Sequence, residues 1–164
     1  MEMESLQDLF VENLKDLYSA ENQILKAGPR VSKAVENEDL KAALDEHLRI
    51  TETQVERLER IFKDLGEKPT GKKCHGMEGL LDENKELLGE DAEQEVLEAG
   101  VIVGMQKVEH YEIAGYGSAV TFAKLLGNDQ AADLLAQTLE EEKQADRMLT
   151  QIAEQINVQA THPA

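Results

Sequence analysis

The sequence has little of what disulfide-rich, membrane-spanning or β-rich proteins contain. Its single cysteine excludes an intrachain disulfide and suits a reducing compartment, so we expect a cytoplasmic protein. It has only three prolines, three tyrosines, three phenylalanines and no tryptophan. No stretch reaches about 18 uninterrupted apolar residues, so no transmembrane helix is expected. The first residues, Met1-Glu-Met-Glu4, are acidic where a secretory signal would be basic, so no signal peptide is expected.

Basic residues are also scarce compared with acidic ones. The chain has 34 acidic and 17 basic residues, for a formal net charge of −17. A surface of this sign repels nucleic acid and anionic lipid, so neither is an expected partner. It attracts cations, although most of these acids are expected to be ordinary solvated residues on helix surfaces.

Strong helix formers make up most of the chain, and β-branched residues do not run together. The length of 164 residues suits a single domain, here residues 1–164. We predict an all-α bundle of four long helices plus one short helix. Gly28-Pro29 predicts a kink or short break in the first helix, and Gly66 and Gly127 predict helix ends. The predicted helices span residues 5–37, 39–65, 77–88, 92–126 and 130–156.

An apolar stripe, spaced alternately three and four residues apart, runs along each long helix. Ionisable residues interrupt every stripe near its middle. On the second helix the interruption continues with Thr51 and Gln54. The third and fourth long helices each carry two acids on the inward face. In chain order the interrupting residues are Glu21, His47, Glu109, Glu112, Glu142 and Asp146.

This coincidence on four helices predicts a metal site. A single Glu on an apolar stripe is usually an edge residue, and a single inward His is usually a hydrogen-bonded core residue. Several buried carboxylates would repel one another, and Lys107 and Lys143 point away from the stripes. Two divalent cations would neutralise the acids, and mixed carboxylate and imidazole ligands suit iron, with manganese as the alternative. We therefore predict two metal ions per chain.

Three further side chains are candidates to support these ligands. Tyr18 lies three residues before Glu21, and Tyr116 lies four residues after Glu112, so either hydroxyl can reach a ligand carboxylate. Gln54 shares the inward face with His47. The alternative interpretation is an ordinary buried tyrosine that bonds some other polar group.

Two other patterns have weak support. Residues 66–73 have phosphate-loop spacing, but Lys73 stands where Ser or Thr would hold magnesium, and a helix precedes the segment instead of a strand. Cys74 and His75 are adjacent, but no second pair completes a structural zinc site. Cys74 is expected to pack at the start of the short helix.

The segment Val108-Glu-His-Tyr-Glu-Ile-Ala-Gly-Tyr116 is the most specific of several that carry a family resemblance. With the other segments named below, it resembles the bacterial YciE/YciF stress-protein family. The resemblance implies a five-helix ferritin-like up-down bundle, similar in layout to rubrerythrin-like proteins, which pairs as a homodimer and carries a di-iron site. One position departs from the family, since Ile50 stands where a Glu is common, so the two metal positions are expected to be unequal. The other matching segments are residues 17–23, 46–51, 54–59, 71–79 and 141–146.

Together these observations predict a ferritin-like metalloprotein of stressed cells. Its chemistry would be oxidation of Fe(II) by oxygen or peroxide. The alternative is a non-catalytic dimeric bundle, with structural metal or none, that acts by interaction.

Overall fold

The computed structural model describes residues 3–162, and five α-helices contain most of them. No strand occurs within this range. The all-α prediction is confirmed, with every predicted helix present and its ends shifted by at most a few residues. The helices are α1 (Leu6–Ala34), α2 (Glu38–Leu65), α3 (His75–Leu87), α4 (Gln94–Leu125) and α5 (Asp129–Ala160).

Local signals in the sequence account for the helix ends. A capping box between Ser5 and Asp8 begins α1, and the Asn37 side chain accepts a hydrogen bond from the amide of Leu40 at the start of α2. Gly66 ends α2 in the left-handed conformation, with φ 71°. In the same way the Asn128 side chain caps α5.

The sequence predicted a kink or short break at Gly28-Pro29, and no break occurs, because α1 continues through both residues. Pro29 removes one backbone donor, but packing on either side holds the helix in place. Beyond the proline, Val31 is buried in a cluster that also contains Leu40 of α2. The side chain of Leu48 occupies the space where a Cβ of residue 28 would lie, so glycine lets α1 and α2 approach closely here.

The four long helices have the ferritin-like topology. One apolar cluster joins the start of α1, the end of α2, the end of α4 and the start of α5. A second cluster joins the opposite ends of the same helices. Thus α1 runs parallel to α5, and α2 runs parallel to α4. The connection from α2 to α4 must therefore travel the length of the bundle, and α3 carries it.

The helix α3 packs outside the bundle against α1 and α4. Cys74 is fully buried as its N-cap, as expected, and its Sγ lies 3.0 Å from the hydroxyl of Tyr111 and 3.2 Å from Asp16. Further along, Asn84 packs directly on Gly104 of α4, where a Cβ would collide with it. This close contact seats α3 and anchors the long crossover.

A polar layer separates the two apolar clusters. It contains the buried residues Glu21, His47, Thr51, Gln54, Glu109, Glu112 and Glu142. Apolar side chains lie on both sides of it along the bundle axis. Within the described range, no helix is long and apolar enough to cross a bilayer.

Candidate metal centre

Four side chains of the polar layer converge at the centre of the bundle. His47 comes from α2, Glu109 and Glu112 come from α4, and Glu142 comes from α5. One ligand atom from each lies within 4.8 Å of the others, and all four residues are buried. Residues three or four apart on α4 face the same way, so the spacing of Glu109 and Glu112 places both acids inward.

His47 is held between two of the carboxylates. Its Nε2 lies 2.9 Å from Oε1 of Glu109 and 3.5 Å from Oε2 of Glu142. The Glu109 contact is close but poorly aligned for a hydrogen bond, so charge attraction dominates it. One turn later, the hydroxyl of Thr51 donates a hydrogen bond of 2.8 Å to the backbone carbonyl of His47. This bond within α2 satisfies the buried hydroxyl.

Glu21 of α1 is fully buried beside this group. It accepts a hydrogen bond of 2.5 Å from the hydroxyl of Tyr116, and its carboxyl also contacts Glu112. Tyr116 therefore supports Glu21 on the facing helix, whereas its spacing in the sequence had suggested Glu112. All four long helices contribute a side chain to the layer, as the stripes predicted.

Many oxygens of this layer are buried without a hydrogen-bond partner, which is costly in a protein interior. A buried acid elsewhere in the same bundle shows the contrast. Glu98, only 4% exposed, accepts hydrogen bonds from the backbone amides of Glu36 and Asn37, at 2.6 and 2.8 Å. Glu98 is satisfied by the protein, and the central acids are not. The unpartnered atoms of the layer are Oε2 of Glu21, Oε1 of Gln54, both carboxylate oxygens of Glu109 and Glu112, and Oε1 of Glu142.

Burial and mutual repulsion raise the pKa of three of these acids. Burial, together with the charge of Glu142, raises the pKa of Glu21 to about 8. Burial also holds the pKa of Glu109 well above its ordinary value, although the positive charge of His47 opposes the change. For Glu112, burial and the charges of Glu142 and Glu21 raise the pKa together. Without cations, the layer therefore retains protons.

Glu142 and His47 behave as the ionised pair of the layer. Burial alone would raise the pKa of Glu142, but the close approach of Glu109 and His47 and the charge of His47 lower it. Burial alone would lower the pKa of His47, but the charges of the adjacent Glu109 and Glu142 raise it well above its ordinary value. These groups hold charge in the interior because they lie together.

A chain of polar contacts lies beside Glu142 and leads to the surface. The side-chain amide of Gln54 donates a hydrogen bond of 3.0 Å to Glu141, which forms a two-point ion pair with Arg57 at 2.7 Å. Gln54, predicted as a supporting residue, therefore bonds the residue next to a candidate ligand. Arg57 and Glu141 were not predicted from the sequence, because they lie at the edge of the apolar stripes.

Two of the predicted residues, Asp146 and Tyr18, make their side-chain polar contacts away from the polar layer. Asp146 is partly buried, with its Oδ2 3.2 Å from Nε2 of the exposed His110, while its Oδ1 is enclosed. The hydroxyl of Tyr18 donates a hydrogen bond of 3.0 Å to Glu59 at the surface and does not bond Glu21.

A groove between α2 and α5 leads to the polar layer. Its volume is about 700 Å³, and Met105 and Glu109 of α4 form its floor. His47, Gln54 and Glu109 lie at its inner end, and Ile50 forms part of the wall on α2. The position where the family resemblance predicts a Glu therefore presents an aliphatic side chain to a groove.

Comparison with known proteins identifies close relatives. Residues 5–162 match a family described as a domain of unknown function, DUF892. The chain is 42% identical over 154 residues to protein YciF of Escherichia coli strain K12, and the match covers 93% of both chains. The crystal structure of the E. coli stress protein YciF superposes with a TM-score of 0.91 at 41% identity, covering 94% of this chain and 98% of that one. YcfI from Rhodopseudomonas palustris gives a TM-score of 0.88 at 42% identity, covering 91% and 95%.

Proposed function

The chain belongs to the DUF892 family, as residues 5–162 and the likeness to YciF show, and on that premise we propose that it is a ferritin-like metalloprotein with a binuclear carboxylate site. The ions would be iron, with manganese as the alternative. The activity would be oxidation of Fe(II) by oxygen or peroxide. A role in stressed cells is consistent with the description of the E. coli relative as a stress protein.

The unpartnered carboxylate oxygens carry this proposal. Glu109 and Glu112 together have four oxygens that are buried and lack hydrogen bonds, within reach of His47 and Glu142. A purely structural layer would have satisfied these atoms as it satisfies Glu98. Hard carboxylate oxygens and one imidazole are the donors that iron and manganese accept. The residues present therefore fit a pair of divalent ions.

The donors divide between two positions. His47, Glu109 and Glu142 would hold one ion, and Glu21 and Glu112 would hold the other. Ile50 has no donor atom, so α2 supplies only His47, and we propose that the two positions hold metal unequally. Iron bound here would supply a one-electron redox couple. Asp146 would become a metal ligand only if its side chain turned from His110 toward the layer.

The protein's own residues would orient these ligands and control protons. Tyr116 donates to Glu21, so one oxygen of this acid remains free to face an ion. Gln54 and Arg57 fix Glu141 beside Glu142. The apolar clusters above and below the layer exclude water from those two sides of it. We also propose that the chain forms a homodimer and works in the cytoplasm.

Metal stoichiometry tests the proposal. Glu112→Ala and Glu142→Ala should each lower the number of Fe(II) ions bound per chain in an anaerobic titration, because each removes an inward carboxylate. The exposed Glu56→Ala is the matched control and should bind like the parent. Circular dichroism should show that all variants remain helical. Equal stoichiometry in all four proteins would show that the layer holds no metal.

Oxygen exposure then separates the two functional classes. After loading, the parent should consume Fe(II) faster than free Fe(II) is consumed in the same buffer. Glu112→Ala and Glu142→Ala should lose this acceleration. A parent that binds metal but gives no acceleration would instead be the non-catalytic bundle, with a structural metal.

A further inference from the structure

We infer that the groove between α2 and α5 binds an elongated aliphatic amine, with its ammonium group at the outer end and its apolar body directed toward His47. The groove is continuous with the polar layer at one end and open to solvent along its side. Its volume of about 700 Å³ lies within the range of small-molecule sites. Binding next to a metal ion rests on the proposed function, whereas binding of the amine itself does not.

The shape of the groove calls for an elongated occupant. Its lining on α2 extends from Asp39 to Gln54, and on α5 from Gln155 back to Glu141. At about 1.5 Å per residue this is roughly 20 Å along the bundle axis. The central part is aliphatic, so a flexible apolar body would fill it. Its main apolar side chains are Leu44, Ile50, Met105, Met148, Leu149 and Ile152.

The charges of the lining residues determine which head group the bound molecule would carry. Among the described residues that line the groove, none is Lys or Arg, and the outer end carries Asp39 with the amides of Gln151 and Gln155. The other acids that line the groove each lie beside a cationic side chain: Glu46 pairs with Arg49, Glu141 pairs with Arg57, and Glu109 lies 2.9 Å from His47. Asp39 remains as the acid that an ammonium group can pair with. A carboxylate head would find no cation there, in a protein whose net charge is −17.

The inner end offers unpartnered polar atoms. Oε1 of Gln54 and both oxygens of Glu109 are buried without hydrogen bonds, and both residues line the groove. The two residues are 0% and 1% exposed. This end is therefore the place where the groove meets the candidate metal ligands, and Ile50 keeps the approach to it apolar.

Calorimetric titration of the metal-free protein tests the inference. Octylamine should bind with one molecule per chain. Octanoate should bind at least about tenfold more weakly, since it lacks the charge that Asp39 attracts. Butylamine, which has the same charge but a short body, should also bind weakly. Equal binding of octylamine and octanoate, or of octylamine and butylamine, would overturn the inference.

A charge reversal inside the groove gives the sharper test. Met148 is 44% exposed and lines the groove, so Met148→Lys places an ammonium there without burying it. Octylamine should then bind about tenfold more weakly and octanoate should gain affinity. Val103→Lys is the matched control, because Val103 is 55% exposed on α4 and does not line the groove. Unchanged selectivity in Met148→Lys would refute the proposed occupant.

Two parallel measurements separate amine binding from metal binding and from dimer formation. Met148→Lys should bind as many Fe(II) ions per chain as the parent, since Met148 is not a candidate ligand. If the parent itself binds no Fe(II), the proposed function is wrong, but the inference about amine binding is unaffected. Sedimentation should give the same oligomeric state for parent and variant. If Met148→Lys dissociates a dimer, a second copy of the chain covers the groove and the inference fails.

Discussion

Removing metal should make the stability of this protein fall steeply as pH rises, and Glu21 provides the clearest test. Its folded pKa is about 8, against an ordinary value of 4.5. Between these values the folded chain binds a proton that the unfolded chain has released. The contribution of Glu21 to stability is therefore present below about pH 4.5 and is lost as pH rises through about 8.

The size of this effect follows from the two pKa values. Each pKa unit corresponds to about 1.4 kcal/mol, so the interval for Glu21 amounts to about 5 kcal/mol at most. This is a large part of the stability of a typical domain. Glu109, Glu112 and His47 also have raised pKa values, and they change stability in the same direction.

The substitution Glu21→Gln isolates the contribution of this one acid. Glutamine keeps an oxygen that accepts from Tyr116 but cannot ionise. In urea unfolding of metal-free protein, Glu21→Gln should match the parent near pH 5 and exceed its stability by up to about 5 kcal/mol near pH 8. The exposed Glu52→Gln is the control and should follow the parent at every pH. If parent and Glu21→Gln have the same pH dependence, Glu21 is not buried among acids and the reasoning is wrong.

Three further predictions concern the metal, Ile50 and α3. Bound metal should reverse the pH dependence of stability, because carboxylates that bind metal must be ionised. The melting temperature of the metal-loaded protein should therefore fall as pH falls from about 7 to 5. Ile50→Glu adds a carboxylate one turn from His47, so it should raise the number of Fe(II) ions bound toward two per chain and speed Fe(II) oxidation. A less stable variant with unchanged stoichiometry would contradict the proposal that the two metal positions are unequal. Gly104→Ala should destabilise the fold by about 1–3 kcal/mol by pushing Asn84 away, whereas Gly117→Ala, with open space around it, should not; similar urea midpoints for the two would refute the α3 contact.

The periodicity of the sequence was sufficient to predict most of the fold. Apolar stripes and capping residues predicted five helices, and each is present. The helix through Pro29 was the exception. Its continuity depends on the packing of Val31 and of Leu48 against Gly28, and these are contacts between helices that a single-helix pattern does not contain.

The candidate site was predictable to the level of helix faces. Acids in the middle of the apolar stripes were predicted to be inward, and the structure buries Glu21, Glu109, Glu112 and Glu142, whereas Asp146 is only partly buried. Which atoms meet across the bundle was not predictable, because side-chain pairing depends on how the helices are aligned. Tyr18 illustrates this, since its hydroxyl lies on the same helix as Glu21 yet points to Glu59 on α2.

The polar layer between the two apolar clusters has a further consequence, which concerns alignment of the helices along the bundle axis. Aliphatic side chains fit together in several registers, so a core of leucines alone would tolerate a slip of one turn, about 5.4 Å. A slip of α4 would move Glu109 and Glu112 out of the layer and bury them against leucine and phenylalanine. The slipped bundle would also separate them from His47, the only imidazole among the layer's buried residues in the described chain. The acids that destabilise the metal-free fold thus also specify the register of the helices, because they make one axial alignment much more stable than its neighbours.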